Sequence, residues 1–409
     1  MDIFKGSFTQ QEPLPEQAIA AAMQVLGHGR LHRYNVVAGE TAEAALLEQE
    51  FAQLTGAKYC LALASGGAAM RIALRAIGVG AGDLVLSNGF TLAPVPGAIA
   101  AVGARAVFVE VTPDLTIDLV DLAQKIHASS AKTLLLSHMR GHMCDMDQLM
   151  ALCGAHGVRV IEDCAHTMGA HWGGAPSGRY GLMGCYSTQT YKHINSGEGG
   201  LLISDDDQAM ARAILLSGSY MLYERHLAAP EPEVFEGLKL DTPNMSSRMD
   251  NLRASILRPQ LPLLAERVAR WRSLYDTMAV SLKNTRGLRL TQRGASEAFV
   301  GSSFQFLMPE WGALHAQTLV ARAAKRGVDL KWFGADSPIG FTSRYDHWRF
   351  AAGKALPETD QILKSLFDMR LPLTFTPADC VLIAKILHAE IQSINQAGPD
   401  ADGTLLSVD

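Results

Sequence analysis

The chain has 409 residues, of which 48% are hydrophobic and 19% are charged, a balance typical of a folded globular protein and not of a disordered or collagen-like one. Its 36 lysines and arginines are outnumbered by 41 acidic residues, and no basic run could neutralise several phosphates, so we expect no role in nucleic-acid binding. Six cysteines stand at irregular intervals without a Cys-x-x-Cys pair, which predicts free thiols, no metal site and a cytoplasmic protein.

Neither export nor membrane insertion is predicted. The first residues, MDIFKGSFTQQEP, lack the basic start and apolar block of an export signal. Residues 84–104 carry no charge and could span a bilayer, but Asn88, Pro94 and Pro96 interrupt them. We therefore expect a strand, a turn and a short helix there.

Between about residues 45 and 205 the sequence alternates short apolar runs with segments of helical periodicity, such as 118–127 and 146–156. Strands without polar alternation, joined by helices, predict a mainly parallel sheet buried on both faces. The seven predicted strands are 59–65, 83–87, 106–111, 133–138, 158–163, 184–188 and 200–204. Ligands of such sheets bind at the carboxyl ends of the strands.

The pattern changes after residue 250. A long helical stretch begins there, and we expect Pro259 and Pro262 to bend it near its start. Mixed strand and helix patterns follow. We predict an α/β protein with a large domain at residues 1–255 that includes the amino-terminal segment. A smaller α+β domain would follow at 256–395, and a poorly ordered tail at 396–409.

Three segments at predicted strand ends could carry chemistry. The turn at Gly66 and Gly67 opens a helix, whose free amides and positive dipole end favour a phosphate. Asp163 ends a buried strand and needs a cation or a donor, which a protonated pyridine nitrogen would supply. Lys192 lies in a loop of hydroxyls and glycines, and a partly desolvated lysine can attack an aldehyde.

Each segment alone has an ordinary structural explanation. The glycine turn could bind nothing, Asp163 could cap a helix, His166 could be a satisfied polar side chain, and Lys192 could be a surface lysine. Their combination within one sheet favours a binding site.

The segments SGGAAM, VIEDCAHTMGA and YSTQTYKHINSGEGG resemble the pyridoxal 5′-phosphate (pyridoxal phosphate) motifs of the DegT/StrS sugar aminotransferases. That family belongs to the fold-type I superfamily, and the resemblance runs from about residue 29 to residue 260. It implies that Lys192 forms a Schiff base with the cofactor, that Asp163 pairs with the pyridine nitrogen and that His166 lies beside the ring hydroxyl.

By the same resemblance, the cofactor phosphate would be held by Ser187 and the amides of Gly66 and Gly67, with Gln189 among the other cofactor contacts. Where relatives often have Gly-Thr in the first turn, this chain has two glycines. Further cofactor contacts are expected elsewhere in the chain. Phe90 or Leu92 stands where an aromatic residue usually stacks on the ring, and Asn244 would reach the phosphate of the neighbouring subunit.

The implied reaction is a ping-pong transamination that moves an amino group from glutamine or glutamate to a keto-sugar or keto-cyclitol. The motif around Lys192 is more similar to the cyclitol branch, which uses glutamine, than to the nucleotide-sugar branch. The implied partners are these small molecules and a second copy of the chain, since fold-type I enzymes form homodimers with shared active sites.

Substrate contacts are predicted at positions that also have structural explanations. Arg140 and His138 follow a strand at the expected site edge, and the planar fork of an arginine suits a carboxylate or phosphate. Arg33 and Tyr34 lie in a segment that is near the active site in relatives. Lys331 could close over the site from the small domain.

Three other functions remain open at this point. Arg140 would also suit a transaminase of amino-acid-like, carboxylate-bearing substrates. Deoxysugar dehydratases share the fold but replace the lysine by histidine, so Lys192 favours transamination, although His193 stands beside it. A regulator that binds the cofactor without catalysis is the third alternative, and no DNA-binding helix pair supports it.

Overall fold

The computed structural model describes residues 2–351 and 353–397. A seven-stranded sheet forms the centre of the molecule. The strands up to residue 204 are β1 Tyr59–Leu63, β2 Leu84–Asn88, β3 Arg105–Val109, β4 Thr133–Ser137, β5 Arg159–Asp163, β6 His171–Trp172, β7 Ala175–Pro176, β8 Met183–Ser187 and β9 Gly200–Ser204. The sheet has the order β1-β9-β8-β5-β4-β2-β3, and β9 alone runs antiparallel to its neighbours. The predicted mainly parallel sheet is therefore confirmed, strand by strand.

Helices cover both faces of this sheet. They are α1 Glu16–His28, α2 Glu43–Thr55, α3 Gly66–Ala76, α4 Pro94–Ala101, α5 Leu119–Ser129, α6 Met146–Ala155, α7 Asp207–Ser217, α8 Pro232–Glu236 and α9 Asn251–Leu257. Aspartates cap several of them: Asp118, Asp145 and Asp206 each accept a hydrogen bond from an amide in the first turn. The uncharged stretch at 84–104 forms β2 and α4, as predicted.

The two prolines interrupt the long helical stretch near its start, as predicted. A 3₁₀ turn at Arg258–Leu263 contains Pro259 and Pro262 and separates α9 from the long helix α10, Leu264–Leu282. Proline removes a backbone donor and clashes with the preceding turn, so a continuous α-helix cannot run through both positions.

The remaining elements form a second, smaller layer. They are β10 Arg289–Leu290, β11 Glu297–Ala298, β12 Ser303–Leu307, α11 Ala313–Lys325, β13 Lys331–Trp332, α12 Pro357–Ser365, β14 Leu366–Arg370 and α13 Pro377–Ala397. An antiparallel sheet has the order β10-β12-β14-β13, while β11 joins β6 and β7. In β14, Phe367 and Met369 enter the core of this layer, so Asp368 and Arg370 share the opposite face.

The amino-terminal segment departs from the predicted domain boundary. Phe4 and Phe8 pack in the core of the second layer, where each ring meets Phe375 edge-on at 5.0 Å, and the amide of Phe4 donates to the carbonyl of Arg326. Burial of the two phenylalanines stabilises this segment against the second layer, away from the large sheet. Residues 396 and 397 still belong to α13, and the rest of the predicted tail lies outside the described residues.

Within residues 2–351 and 353–397, no helix combines the length and the apolar character that crossing a bilayer requires.

Candidate active site

A cavity of about 520 Å³ opens at the carboxyl ends of β4, β5 and β8, between the large sheet and the second layer. This is the edge where an α/β sheet is expected to bind its ligand. The predicted residues that line the cavity are Gly66, Gly67, Leu92, Arg140, Asp163, His166, Ser187, Gln189 and Lys192. Segments that are far apart in the sequence therefore meet in one place.

Lys192 and His166 lie in direct contact in this cavity. The Nζ atom of Lys192 is 2.9 Å from Nε2 of His166. Burial lowers the pKa of Lys192 to about 7; Asp163 partly offsets this effect, while the charges of Arg140 and Arg370 add to it. Near neutral pH, a substantial fraction of Lys192 is therefore the neutral amine that nucleophilic attack requires.

The hydrogen bonds of His166 indicate its protonation state. Burial, and then the charges of Lys192 and Arg140, hold the pKa of His166 well below its ordinary value, so the ring is neutral. Its Nδ1 accepts a hydrogen bond from the amide of Arg140 at 3.3 Å. The single ring proton therefore lies on Nε2, and this N–H group donates a hydrogen bond to the neutral Nζ of Lys192.

Asp163 is a buried acid whose negative charge is only partly compensated by its neighbours. Oδ2 accepts from the Ser137 hydroxyl at 3.0 Å, and Oδ1 accepts from the amide of Ala165 at 3.1 Å. Burial raises the pKa of Asp163, although these hydrogen bonds and Lys192 oppose the shift. A cation placed against this carboxylate would restore the charged form, which is what a protonated pyridine nitrogen provides.

The opposite part of the cavity fits a phosphate. Ser65 caps α3 through a hydrogen bond from the amide of Ala68, and Gly66 and Gly67 are in the first turn, where amides have no partner inside the helix. A Cβ atom on Gly66 would lie 2.9 Å from Cβ of Ser187, and one on Gly200 would lie 2.3 Å from the carbonyl oxygen of Ser65. These glycines bring the hydroxyl of Ser187 and the helix amides together, so the residues present fit a phosphorylated cofactor.

Of the two candidates for the residue over the ring, the structure favours one. Leu92 lines the cavity, whereas Phe90 is 1% exposed and packs edge-on against Phe333 in a separate core cluster. The predicted contact of Phe90 with the cofactor does not fit this position. Asn244 is exposed and lies outside the cavity, where its side chain accepts from the amide of Ser246.

The structure also contradicts the predicted substrate contact of His138. This side chain is buried and donates from Nε2 to Glu162 at 3.0 Å. Glu162 also accepts from the amides of Gly178, Tyr180 and Gly181, so its oxygens are fully used. Cys164 lies beside His138 and Glu162, and the three side chains form a buried group of potential metal ligands. Burial holds the pKa of Cys164 well above its ordinary value, so the thiol stays protonated.

Arg33 and Tyr34 likewise face away from the cavity. Arg33 is 1% exposed and binds both carboxylate oxygens of Glu48, at 2.8 and 2.9 Å. The hydroxyl of Tyr34 is 2.8 Å from Nε2 of His226, and Nδ1 of that ring lies 2.9 Å from Glu48. Both residues therefore have structural partners and lie outside this cavity.

Replacing Arg33 by methionine is expected to destabilise the protein by about 3–5 kcal/mol, because it leaves a buried carboxylate without its partner. Glu48 depends on that partner: burial opposes its charge, yet Arg33 and His226 hold its pKa at about 2. Chemical denaturation of the purified protein measures the change. A variant that kept its stability and lost only substrate affinity would support the predicted contact between Arg33 and the substrate.

Arg140 lines the cavity but already has a partner. Its Nη2 lies 2.9 Å from Oδ2 of Asp368 in β14, and its backbone has φ of 56° inside a short 3₁₀ turn. The ion pair holds the guanidinium against the second layer. Lys331 stands opposite Asp368 in the register of β13 and β14, one strand away from the cavity wall.

Several residues of the cavity were missed by the sequence analysis. Ser137 orients Asp163, and Tyr191 and Arg370 form the wall next to Lys192. The guanidinium of Arg370 lies 3.6 Å from the centre of the Tyr191 ring. Alternation in β14 was an available signal, because two charged residues at spacing two on one face of a buried strand require a polar neighbour.

The fold is that of the fold-type I proteins that bind pyridoxal phosphate. A family model confirms this class: the chain belongs to the DegT/DnrJ/EryC1/StrS aminotransferase family, whose model matches residues 16–387. Membership confirms the predicted family and, with it, pyridoxal phosphate as the cofactor.

Curated relatives resemble parts of the chain. A pleiotropic regulatory protein of Geobacillus stearothermophilus is 34% identical, covering 53% of this chain and 55% of that protein. UDP-2-acetamido-2-deoxy-3-oxo-D-glucuronate aminotransferase of Pseudomonas aeruginosa is 29% identical, covering 67% and 71%. L-glutamine:2-deoxy-scyllo-inosose aminotransferase of Streptomyces fradiae is 30% identical, covering 62% and 60%. The matches thus span little more than half the length of some relatives.

The fold itself is shared over nearly the whole chain. The crystal structure of an aminotransferase from Streptoalloteichus hindustanus matches with a TM-score of 0.79 at 23% identity, covering 95% of this chain and 99% of that one. This similarity confirms the predicted α/β fold class.

Proposed function

We propose that this protein is an aminotransferase that moves an amino group from glutamine or glutamate to a keto-sugar or keto-cyclitol. The observation that carries the proposal is Lys192, a half-buried lysine with a pKa of about 7, in contact with a neutral His166 and in the same cavity as the buried Asp163. Relatives named for nucleotide-sugar and for cyclitol substrates both support the acceptor class.

The chain's own residues would hold the cofactor at three points. The amides of Gly66 and Gly67 with the Ser187 hydroxyl suit its phosphate, Asp163 suits its ring nitrogen, and Leu92 lies where it can cover the ring. Pyridoxal phosphate, when bound, supplies an aldehyde and a ring that withdraws electrons from the substrate carbon.

The remaining chemistry is proton transfer, which the geometry assigns to Lys192. As a neutral amine, Nζ can take a proton from the substrate carbon and return it at a neighbouring atom, acting as general base and then as general acid. His166, whose Nε2 lies 2.9 Å from Nζ, holds the amine in position in the cavity. Asp163 keeps a positive charge on the opposite side of the site, where burial strengthens the attraction.

Two half-reactions test the proposed function. The holoprotein is mixed with glutamine or with glutamate, and the absorbance of the bound cofactor should change from its aldehyde form to its amine form with one donor. The product is then mixed with a keto-cyclitol or a nucleotide-linked keto-sugar, which should restore the first spectrum. A protein whose spectrum no amino donor changes would support the regulatory alternative.

The pKa of Lys192 leads to a prediction about its reactivity. Its amine should react with an amine-specific reagent in the apoprotein with a midpoint near pH 7, because burial disfavours the charged form. Labelling at a series of pH values, followed by peptide mass spectrometry, gives the midpoint for each lysine. The exposed Lys354 serves as the internal control. A midpoint for Lys192 near the value of about 10.4 for an ordinary lysine would contradict the proposed environment.

We also propose a homodimer with shared active sites. Three apolar side chains, Ile19, Met23 and Leu26, recur at spacings of four and three on α1 and are 49%, 63% and 51% exposed. Such a stripe favours burial against a partner. Asn244 lies outside the cavity of its own subunit, which fits a role in the neighbouring one. Sedimentation should show a dimer, and a fully active monomer would contradict the proposal.

A cytoplasmic location completes the proposal. All six cysteines are buried and none is in a disulfide. Free thiols persist in a reducing compartment, whereas extracellular proteins ordinarily pair them.

A further inference from the structure

We propose that Ser302 and His193 position the water that the reaction consumes, in a second, smaller cavity behind Lys192. The inference rests on the proposed function and deepens it, because it assigns positioning residues to the hydrolytic step. In that step the oxygen of a water bonds to the donor carbon, the carbon–nitrogen double bond breaks, and both hydrogens of the water end on the nitrogen. The donor leaves as a carbonyl compound, and no atom is oxidised or reduced.

The smaller cavity has a volume of about 60 Å³ and adjoins the large one. Lys192, Tyr191, Ser302 and Arg370 line both cavities, so they form the wall between them. One water needs roughly 10–15 Å³, so the smaller cavity has room for a few water molecules.

His193 lines the smaller cavity and has one nitrogen without a protein partner. The side chain is buried, and its Nε2 lies 3.0 Å from Oγ of Ser302, whereas Nδ1 has no hydrogen-bond partner among the described residues. Burial, and then the charge of Lys192, lowers the pKa of His193 to about 3, so the ring is neutral and carries one proton. Whichever nitrogen holds that proton, a water can complete the hydrogen bonding of Nδ1.

The loop that carries His193 is fixed by its neighbours. Gln260 is buried and binds Asn195 twice, accepting from its amide at 3.1 Å and donating to its carbonyl at 2.8 Å. Arg267 donates to the carbonyl of His193 at 3.3 Å, and the imidazole packs edge-on against Trp271 at 5.1 Å. A water bound to Nδ1 would therefore have a defined position.

Ser302 connects the smaller cavity to the reacting atoms. Its carbonyl accepts from the amide of Leu371 at 3.0 Å, which fixes its backbone directly before β12. In either tautomer of His193, the Ser302 oxygen keeps a lone pair that can accept a hydrogen bond from a water in the large cavity. The neutral Lys192 can take a proton from that water and pass it to the nitrogen.

The smaller cavity also has a route to solvent that does not pass through the large one. Glu12 of the amino-terminal segment lines it and pairs with Arg270 at 2.5 Å, and both side chains are partly exposed. Closing an active site over its substrate expels water. A separate supply would therefore keep hydrolysis possible while the substrate fills the large cavity.

Variants of Ser302 test the inference in the holoprotein, because proton transfer and hydrolysis have different readouts. With enzyme in excess over the amino donor in D₂O, rapid quench gives both the deuterium in the recovered donor and the amount of 2-oxo product. We expect Ser302→Ala to slow product formation by about 10- to 100-fold, the usual cost of misplacing a reacting group, and to increase the deuterium in the recovered donor. Ser302→Thr keeps the hydroxyl and should recover part of the rate.

Thr285→Val is the matched control. The hydroxyl of Thr285 lies 2.8 Å from Nδ1 of His388, so this pair also joins a hydroxyl to an imidazole, but it is outside both cavities. Its removal should change neither deuterium incorporation nor product formation.

High-resolution crystal structures give a readout that does not depend on turnover. We expect an ordered water within hydrogen-bond distance of Nδ1 of His193 in the wild type and in Thr285→Val. His193→Phe, which keeps a ring against Trp271 and removes both nitrogens, should lose this water. A wild-type structure without the water would overturn the inference even if the variants do not fold.

Two kinetic results would also overturn the inference: normal product formation by Ser302→Ala, or an equal decrease in deuterium incorporation and product formation. These results are distinct from failure of the proposed function. A wild type that neither exchanges the donor hydrogen nor forms product with either donor refutes the aminotransferase proposal and the inference together. Normal transamination by Ser302→Ala refutes the water site alone.

Discussion

Replacement of Lys192 by alanine is expected to reduce transamination by about a thousandfold or more, because general acid–base catalysis alone contributes roughly 10²–10⁴-fold and no second amine replaces it. In the described residues, the other side chain that touches Nζ is His166, whose pKa is held well below its ordinary value by burial. A neutral imidazole of such low basicity is a poor proton acceptor. Single-turnover rates with glutamine would measure the loss.

Two comparisons separate catalysis by Lys192 from a structural role. Lys354→Ala removes an exposed lysine and should keep the wild-type rate. Addition of a small primary amine should restore part of the activity of Lys192→Ala, because a free amine can enter the cavity that the side chain leaves. An undiminished rate in Lys192→Ala would show that another group transfers the proton.

Replacement of Asp163 by asparagine is expected to have the second largest effect, a decrease of roughly 150- to 5,000-fold in rate, which corresponds to the 3–5 kcal/mol lost when a buried charge pair is broken. Asparagine keeps the size, and with its oxygen on the amide of Ala165 its NH₂ group can donate to the hydroxyl of Ser137, but it removes the charge opposite the ring nitrogen. Ser137→Ala, which removes a hydrogen bond and keeps the charge, should have a much smaller effect. Similar losses in both variants would contradict a specific role for the charge.

The same substitution should have the opposite effect on the stability of the apoprotein. Burial raises the pKa of Asp163, so the folded state binds its proton more tightly than the unfolded state does. The ionised carboxylate therefore lowers stability as pH rises above its unfolded pKa, near 3.8. At neutral pH, Asp163→Asn should unfold at a higher denaturant concentration than the wild type, and the difference should vanish in acid. A less stable variant at neutral pH would contradict this account.

The strands and the reactive residues could be predicted because both depend on local sequence. Apolar runs of four to seven residues are strands when helices separate them, and polar residues directly after such runs lie at one edge of a parallel sheet. Asp163 and Lys192 were identified in this way, and the structure places both in the cavity.

Side chains whose partners are distant in the sequence could not be placed. Arg33 looked like a substrate contact, but His226, 193 positions later, and Glu48 bury it. His138 and Phe90 stand beside residues that line the cavity. His138 is nevertheless buried against Glu162, and Phe90 against Phe333. Arg370 was overlooked because its importance depends on Tyr191 and Asp368, which only the packing of two layers brings close.

Covalent attachment of the cofactor to Lys192 is the central claim, and borohydride reduction followed by peptide mapping tests it most directly. The holoprotein is reduced, digested and analysed by mass spectrometry, with Lys192→Ala treated in parallel. The account predicts the phosphopyridoxyl group on the peptide that contains Lys192 and its absence from the variant. Modification of a different lysine, or a wild-type protein that binds pyridoxal phosphate and remains unmodified after reduction, would contradict it.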